Sequence, residues 1–183
     1  MNAALARRAE QVLEEARTRR LTLATVESCT AGSLALLLAD APGAGESFHG
    51  GFVAYTKANK IASIGVSAAL LDARTAVSRE VSEAMARGGI ERSPADIAVA
   101  ITGVAGLEPD EDGNPVGLMH LAAACRDGRV SHIERRFGEG SREKNRNLAI
   151  EEALGLLEAM IRGAGGGGVE PNGSGNFKPT ARK

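Results

Sequence analysis

Apolar residues return at three- and four-residue intervals near the start of the chain. Leu5, Ala9, Val12, Leu13 and Ala16 share one face, with Glu and Arg between them, so Asn2 to Arg20 is predicted as an amphipathic helix. The pattern then changes. Leu21–Val26 (LTLATV) is a short run rich in β-branched residues and is predicted as a buried strand. The small-residue turn ESCTAG (27–32) follows, and an apolar helix, Ser33–Ala39, stops near Pro42-Gly43. Gly51–Tyr55 is predicted as a second strand, and Lys57–Ile64 and Ser67–Arg74 as short helices. Ser78 is the expected N-cap of a helix over Arg79–Arg87, with Gly88-Gly89 closing it.

Asp96–Ile101 (DIAVAI) is continuously apolar after its first residue, as a strand covered on both faces should be. It runs into a second small-residue turn, Thr102–Gly106 (TGVAG). Val116–Cys125 and Val130–Phe137 are two more strands, and Asp127-Gly128 between them signals a hairpin. A last helix is expected over Ser141–Ile161. Strands alternating with helices indicate an α/β domain, and the hairpin requires at least one antiparallel strand. The expected organisation is one domain over residues 1–162, then a disordered Gly-rich tail over 163–183.

Charge and composition narrow the function. The formal net charge is -1, which gives no basic footprint for nucleic acid and no polybasic membrane patch. Aromatic residues make up 3% of the chain, too few for base-stacking platforms. No apolar stretch approaches the roughly 20 residues that span a bilayer. Two cysteines, Cys29 and Cys125, do not make a disulfide scaffold. A cytoplasmic protein with neither a nucleic-acid nor a membrane partner is expected. A homodimer or higher homo-oligomer is the base-rate expectation for a soluble enzyme.

Ligands of α/β folds collect beyond the strand ends, where the two small-residue turns lie. ESCTAG sets three nucleophile candidates side by side: Ser28, Cys29 and Thr30. The backbone N–H groups of Ala31, Gly32 and Ser33 at the following helix start are expected to face an anion or a developing oxyanion. A serine needs a base, and a desolvated lysine can serve. YTKANK supplies two candidates, Lys57 and Lys60, beside Tyr55. TGVAG offers backbone groups with little bulk as a nucleotide cradle. Arg142 and Arg146 fall one helical turn apart and suit a phosphate. His49, His120 and His132 are scattered. His120 reads as a hydrogen-bonded core residue, whereas His49 is close enough in sequence to the second strand to reach a site. No zinc-ligand spacing occurs, and neither a metal nor a cofactor is expected.

ESCTAG, FHGGFVAYTKANK (48–60), AVS (76–78), ITGVAG (101–106), PVG (115–117) and a GSR-x-x-x-R helix start (140–146) occur in that order. Together they resemble the C-terminal domain of the competence/damage-inducible CinA family, over roughly Glu10 to Ile161. Stand-alone members of that family are nicotinamide-nucleotide amidases. The resemblance implies a three-layer α/β/α sandwich with a mixed, mostly parallel sheet. It also implies hydrolysis of nicotinamide mononucleotide to nicotinate mononucleotide and ammonia. It makes Ser28 the nucleophile, Lys60 rather than Lys57 its partner, and Tyr55 a third catalytic residue. Cys29, Thr30, Ala31, Gly32, Thr102, Gly103, Ala105, Gly106 and Arg142 become substrate-binding residues.

The chain departs from the family pattern in four places. Ala31 stands where the family has Gly. An acidic loop, Leu107–Pro115, follows Gly106 in place of a Gly-rich continuation. Asn114 precedes Pro115, where the family has Lys, and Ser141 replaces an Asp. Two other functions fit the same motifs: an amidase acting on a different amide, and a non-catalytic module that binds nucleotide or a partner.

Overall fold

The structure, a computed structural model, describes residues 3–164. Helix α1 spans Ala3–Thr18 and strand β1 Leu23–Glu27. Helices α2 (Ser33–Ala39) and α3 (Ala44–Ser47) lead to β2 (Phe48–Val53). Helices α4 (Lys57–Ile64), α5 (Ala68–Arg74) and α6 (Arg79–Glu91) precede β3 (Ile97–Gly103), β4 (Leu118–Cys125), β5 (Val130–Arg136) and α7 (Arg142–Gly163). The five strands form one sheet in the order β2-β1-β3-β4-β5. Strand β1 runs parallel to both β2 and β3, and β4 is antiparallel to β3 and to β5. Four strands therefore point one way and β4 the other, which is the mixed, mostly parallel sheet expected.

Alternation along the buried strands builds a core on each face. Ile97, Val99 and Ile101 of β3 pack with Met119, Leu121 and Ala123 of β4 against Leu13 of α1, Leu34 and Leu38 of α2, and Leu154 and Leu157 of α7. Ala98, Ala100, Ala122 and Ala124 face the opposite side with Val26. They meet Ile64 of α4, Leu71 of α5 and Val81 and Met85 of α6. The three layers are thus α1/α2/α7, sheet and α4/α5/α6.

The alanine-rich face lets α6 sit close to the sheet, and this corrects one expectation. Gly88-Gly89 does not close α6, which continues to Glu91. Both glycines are buried mid-helix. A Cβ on Gly88 would collide with the Ile64 carbonyl of α4, and one on Gly89 would press on Val26 and Ala98. They are glycines for close approach, with no chain reversal involved.

Other boundaries moved as well. Strand β2 starts three residues before the expected Gly51 and ends at Val53, because its exposure alternates along a sheet edge where no continuous apolar run marks it. Tyr55 lies beyond the strand end. The single-turn α3 is too short to leave a periodic signature. Thr56, Ser67, Ser78 and Ser141 cap α4, α5, α6 and α7 through their side-chain oxygens. Gly163, the first residue of the expected tail, still belongs to α7, and residues 165–183 of that tail lie outside the described residues. No described helix is long and apolar enough to cross a membrane.

Candidate active site

Strand β1 ends with Glu27 opposite Ile101, while β3 runs on against β4 through Thr102 and Gly103, which are strand residues and not, as expected, part of a turn, so the TGVAG segment still lies beside ESCTAG. The Ser28 N–H donates to the Ile101 carbonyl at 3.0 Å, which extends the ladder by one rung and fixes the serine at the sheet's edge. On the other side of β1, the chain leaves β2 through Ala54 and Tyr55 and enters α4 at its Thr56 cap. The first turn of α4 carries Lys60 inward. Its side chain is 1% exposed, and its Nζ donates to Ser28 Oγ at 2.8 Å.

The remaining partners of Lys60 are neutral. Nζ reaches the Ala54 carbonyl at 3.0 Å and the Tyr55 carbonyl at 3.4 Å, and no carboxylate pairs with it among the described residues. Burial without a counter-charge disfavours the ammonium, so the Lys60 pKa is pushed down from 10.5 to about 8. Lys57, its rival in sequence, sits differently. It donates to Asp112 at 2.9 Å and pairs with Glu111 at 3.2 Å, and these bonds hold its pKa above the ordinary lysine value. Its carboxylates hold Lys57 as a cation, whereas burial moves Lys60 toward its neutral form.

Cys29 is set apart from Ser28 by the turn. Its thiol lies buried in the α1/α7 core, 3.7 Å from the Met119 sulfur, and burial pushes its pKa up to about 12. A thiol in that state is not a nucleophile at neutral pH. Thr30 is fully buried, and its hydroxyl has no partner among the described residues.

The helix start does not offer its N–H groups as the sequence suggested. Glu27, fully buried at the end of β1, folds its carboxylate over α2. It accepts from the N–H groups of Gly32 at 3.0 Å, Leu34 at 3.1 Å and Ala35 at 2.8 Å. The Ala31 N–H donates to the Ser28 carbonyl and that of Ser33 to the Thr30 carbonyl. Thr30, Ala31 and Gly32 are therefore structural members of the turn and do not line the cleft. The N–H groups of Cys29 and Thr30, next to the serine, have no oxygen acceptor among the described residues.

This turn carries strain. Ala31 has φ 54 and Gly32 φ 90, both in the left-handed region. An alanine there costs about 1–2 kcal/mol, part of which glycine would return as chain entropy on folding. Replacing Ala31 with glycine is expected to stabilise the protein by about 0.5–1 kcal/mol, read as a higher urea midpoint at unchanged slope.

The cleft, of about 390 Å³, brings most of the expected residues together. Ser28, Cys29, Tyr55, Lys60, Thr102, Gly103, Ala105, Gly106 and Arg142 all line it. Tyr55 contributes its backbone: its carbonyl accepts from Ser28 Oγ at 3.4 Å, while its side chain is 58% exposed and its phenol has no hydrogen bond among the described residues. The direct contact between Lys60 and Ser28 leaves no gap for a phenol to bridge. Thr102 turns its hydroxyl to the Ala76 carbonyl at 2.8 Å, tying the TGVAG segment to the far wall. Gly103 is required because a Cβ would strike Met119 and the Leu118 carbonyl of β4.

Among the described residues, the cleft wall also includes Arg146, marked in the sequence only as a phosphate candidate beside Arg142, and further residues that were not foreseen as site residues. Arg146 donates from Nε to the Cys29 carbonyl at 2.8 Å. Ala76 and Val77 form a wall, and Glu108 and Asp110–Asp112 of the acidic loop form a rim. The one-turn spacing of Arg142 and Arg146 was the available signal for Arg146. The histidines stand elsewhere. His49 is exposed on β2, outside the cleft lining, and His120 Nδ1 lies 3.1 Å from His132 Nε2 between β4 and β5.

A family model of the CinA C-terminal domain matches residues 5–161. The chain belongs to the CinA C-terminal domain family. A CinA-like protein of Synechococcus sp. (strain RCC307) is 41% identical over 154 residues, covering 84% of this chain and 37% of that protein. A CinA-like protein of Frankia casuarinae is 43% identical over 145 residues, covering 79% and 33%. The chain thus spans about a third of the length of these curated CinA relatives. Solved CinA-type structures match nearly end to end. The competence/damage inducible protein CihA from Agrobacterium tumefaciens superposes with a TM-score of 0.84 at 36% identity, covering 87% of this chain and 97% of that one. A CinA superfamily protein from Escherichia coli gives 0.81 at 33% identity, covering 87% and 93%.

Proposed function

We propose that this CinA-family domain is an amidohydrolase that converts nicotinamide mononucleotide to nicotinate mononucleotide and ammonia. One observation carries the reading: the Ser28 hydroxyl lies 2.8 Å from a buried lysine amine that has no counter-ion among the described residues, at the wall of a nucleotide-sized cleft.

The reaction follows from the protonation states. With a pKa near 8, roughly a tenth of Lys60 is neutral at pH 7. The neutral amine accepts the Ser28 proton as Oγ attacks the carboxamide carbon. The C=O π pair moves to oxygen, and the Cys29 N–H, at the cleft wall and without an oxygen acceptor among the described residues, is the candidate donor to that oxyanion. Each such donor is worth about 3 kcal/mol in comparable sites. The Lys60 ammonium returns the proton to the departing nitrogen, ammonia leaves, and an acyl-serine remains. Water attacks the ester with Lys60 again as base, and nicotinate mononucleotide is released. Every atom of the cycle is supplied by the substrate, water, Ser28 and Lys60.

The test is ammonia release by the purified chain from nicotinamide mononucleotide, nicotinamide riboside and free nicotinamide. The mononucleotide is expected to be the best of the three, with activity surviving iodoacetamide because Cys29 is buried and protonated. Tight mononucleotide binding with no ammonia from any amide would falsify the hydrolase reading.

A further inference from the structure

The nucleophile's turn is held from three sides. The Ser28 N–H is fixed to β3, Glu27 grips the α2 start, and Arg146 reaches in from α7 to hold the Cys29 carbonyl. The third support differs from the other two because it is also a wall of the cleft. Arg146 is half-buried and uses Nε alone for the turn. Neither of its Nη groups has a hydrogen-bond or carboxylate partner among the described residues.

Most other ionic groups of the cleft are engaged elsewhere; Glu108 on the rim is a carboxylate with no ion pair among the described residues. Lys57 is neutralised by Glu111 and Asp112, and Asp110 bonds within its own loop to Asp112 and Asn114. Lys60 is occupied with Ser28 and two carbonyls. Arg142, one turn before Arg146, lies near Gly106 and likewise has no ion pair among the described residues. The cleft therefore presents two uncompensated guanidiniums, of which Arg146 alone is bonded to the nucleophile's turn.

We propose that Arg146 recognises the phosphate of the substrate with its free Nη groups while its Nε positions the turn that carries Ser28, so that one side chain links phosphate binding to nucleophile placement. The proposal rests on the amidase reading for its substrate and takes Arg146 as a positioning residue acting through the Cys29 carbonyl. A guanidinium suits the task because its fixed fork can hold a carbonyl and a phosphate at once, whereas a lysine offers a single point charge.

The experiment uses the full chain, with Arg146→Gln and Arg146→Lys, and circular dichroism melts to establish that both are folded. Calorimetric binding in a Ser28→Ala background is measured with nicotinamide mononucleotide and with nicotinamide riboside, its phosphate-free counterpart. Ammonia release is measured in the Ser28 background with both. Arg146→Gln is expected to weaken mononucleotide binding about tenfold or more, to leave riboside binding within about twofold, and to lower kcat on both. Arg146→Lys is expected to recover most of the mononucleotide affinity while kcat stays low, because charge is restored and the fork is not. Equal losses of mononucleotide and riboside binding would overturn the proposal, as would an unchanged kcat in Arg146→Gln. If the wild type releases no ammonia, the amidase reading fails alone, and the ratio of mononucleotide to riboside binding still decides whether Arg146 reads phosphate.

Discussion

Ser28→Ala is expected to lower ammonia release from nicotinamide mononucleotide by about 10⁴-fold or more, the scale seen when a serine nucleophile is removed. The fold should be untouched. The hydroxyl's contacts are the 2.8 Å bond from Lys60 and a 3.4 Å bond to the Tyr55 carbonyl, and Lys60 keeps the Ala54 and Tyr55 carbonyls when the hydroxyl is gone. Mononucleotide binding is expected to survive, since the guanidiniums and the TGVAG segment are not altered. The adjacent thiol cannot substitute, because burial holds Cys29 protonated and directs it toward Met119. Turnover within tenfold of wild type in this variant would remove Ser28 from the mechanism.

Lys60→Met is expected to lower activity about 10³-fold, the middle of the range for losing a general base, and to change how stability responds to pH. In the wild type, kcat/KM should rise tenfold per pH unit and level off near pH 8, where the amine becomes neutral. The stability effect has a definite sign. The folded-state pKa of about 8 lies below the 10.5 of an exposed lysine, so between these values the unfolded chain binds more protons and stability increases with pH. Below pH 8 the buried ammonium destabilises the fold by roughly 3 kcal/mol, and above pH 10.5 that cost is gone. Urea midpoints at pH 7 and pH 10 test this. The wild type should gain on Lys60→Met across the interval by most of that amount. Parallel stability curves for the two proteins would show that Lys60 is charged alike in both states and is no base.

Much of this was legible in the sequence, for physical reasons. LTLATV and DIAVAI could only be strands covered on both faces, and ESCTAG and TGVAG had to leave them at one end of the sheet. The family resemblance chose Lys60 over Lys57, and burial explains the choice: Lys60 faces inward from α4, while Lys57 faces the acidic rim. What escaped depended on partners distant in the chain. Glu27 caps a helix that begins six residues later, outside the short-range capping patterns, and its signal was only an acid at the end of an apolar strand. Gly88-Gly89 reads as a helix terminator until the alanine face of the sheet is seen beneath it. Arg146 was marked by its spacing from Arg142, but its hold on the nucleophile's turn, a bond spanning 117 positions, was not legible.

The carboxylate buried beneath α2 also changes what the nucleophile's turn can offer a ligand. A helix start beside a nucleophile is ordinarily a berth for a negative group. Here Glu27 has filled that berth from within. Attraction for an anion in this cleft is thereby left to side-chain cations, which a substitution can remove one at a time.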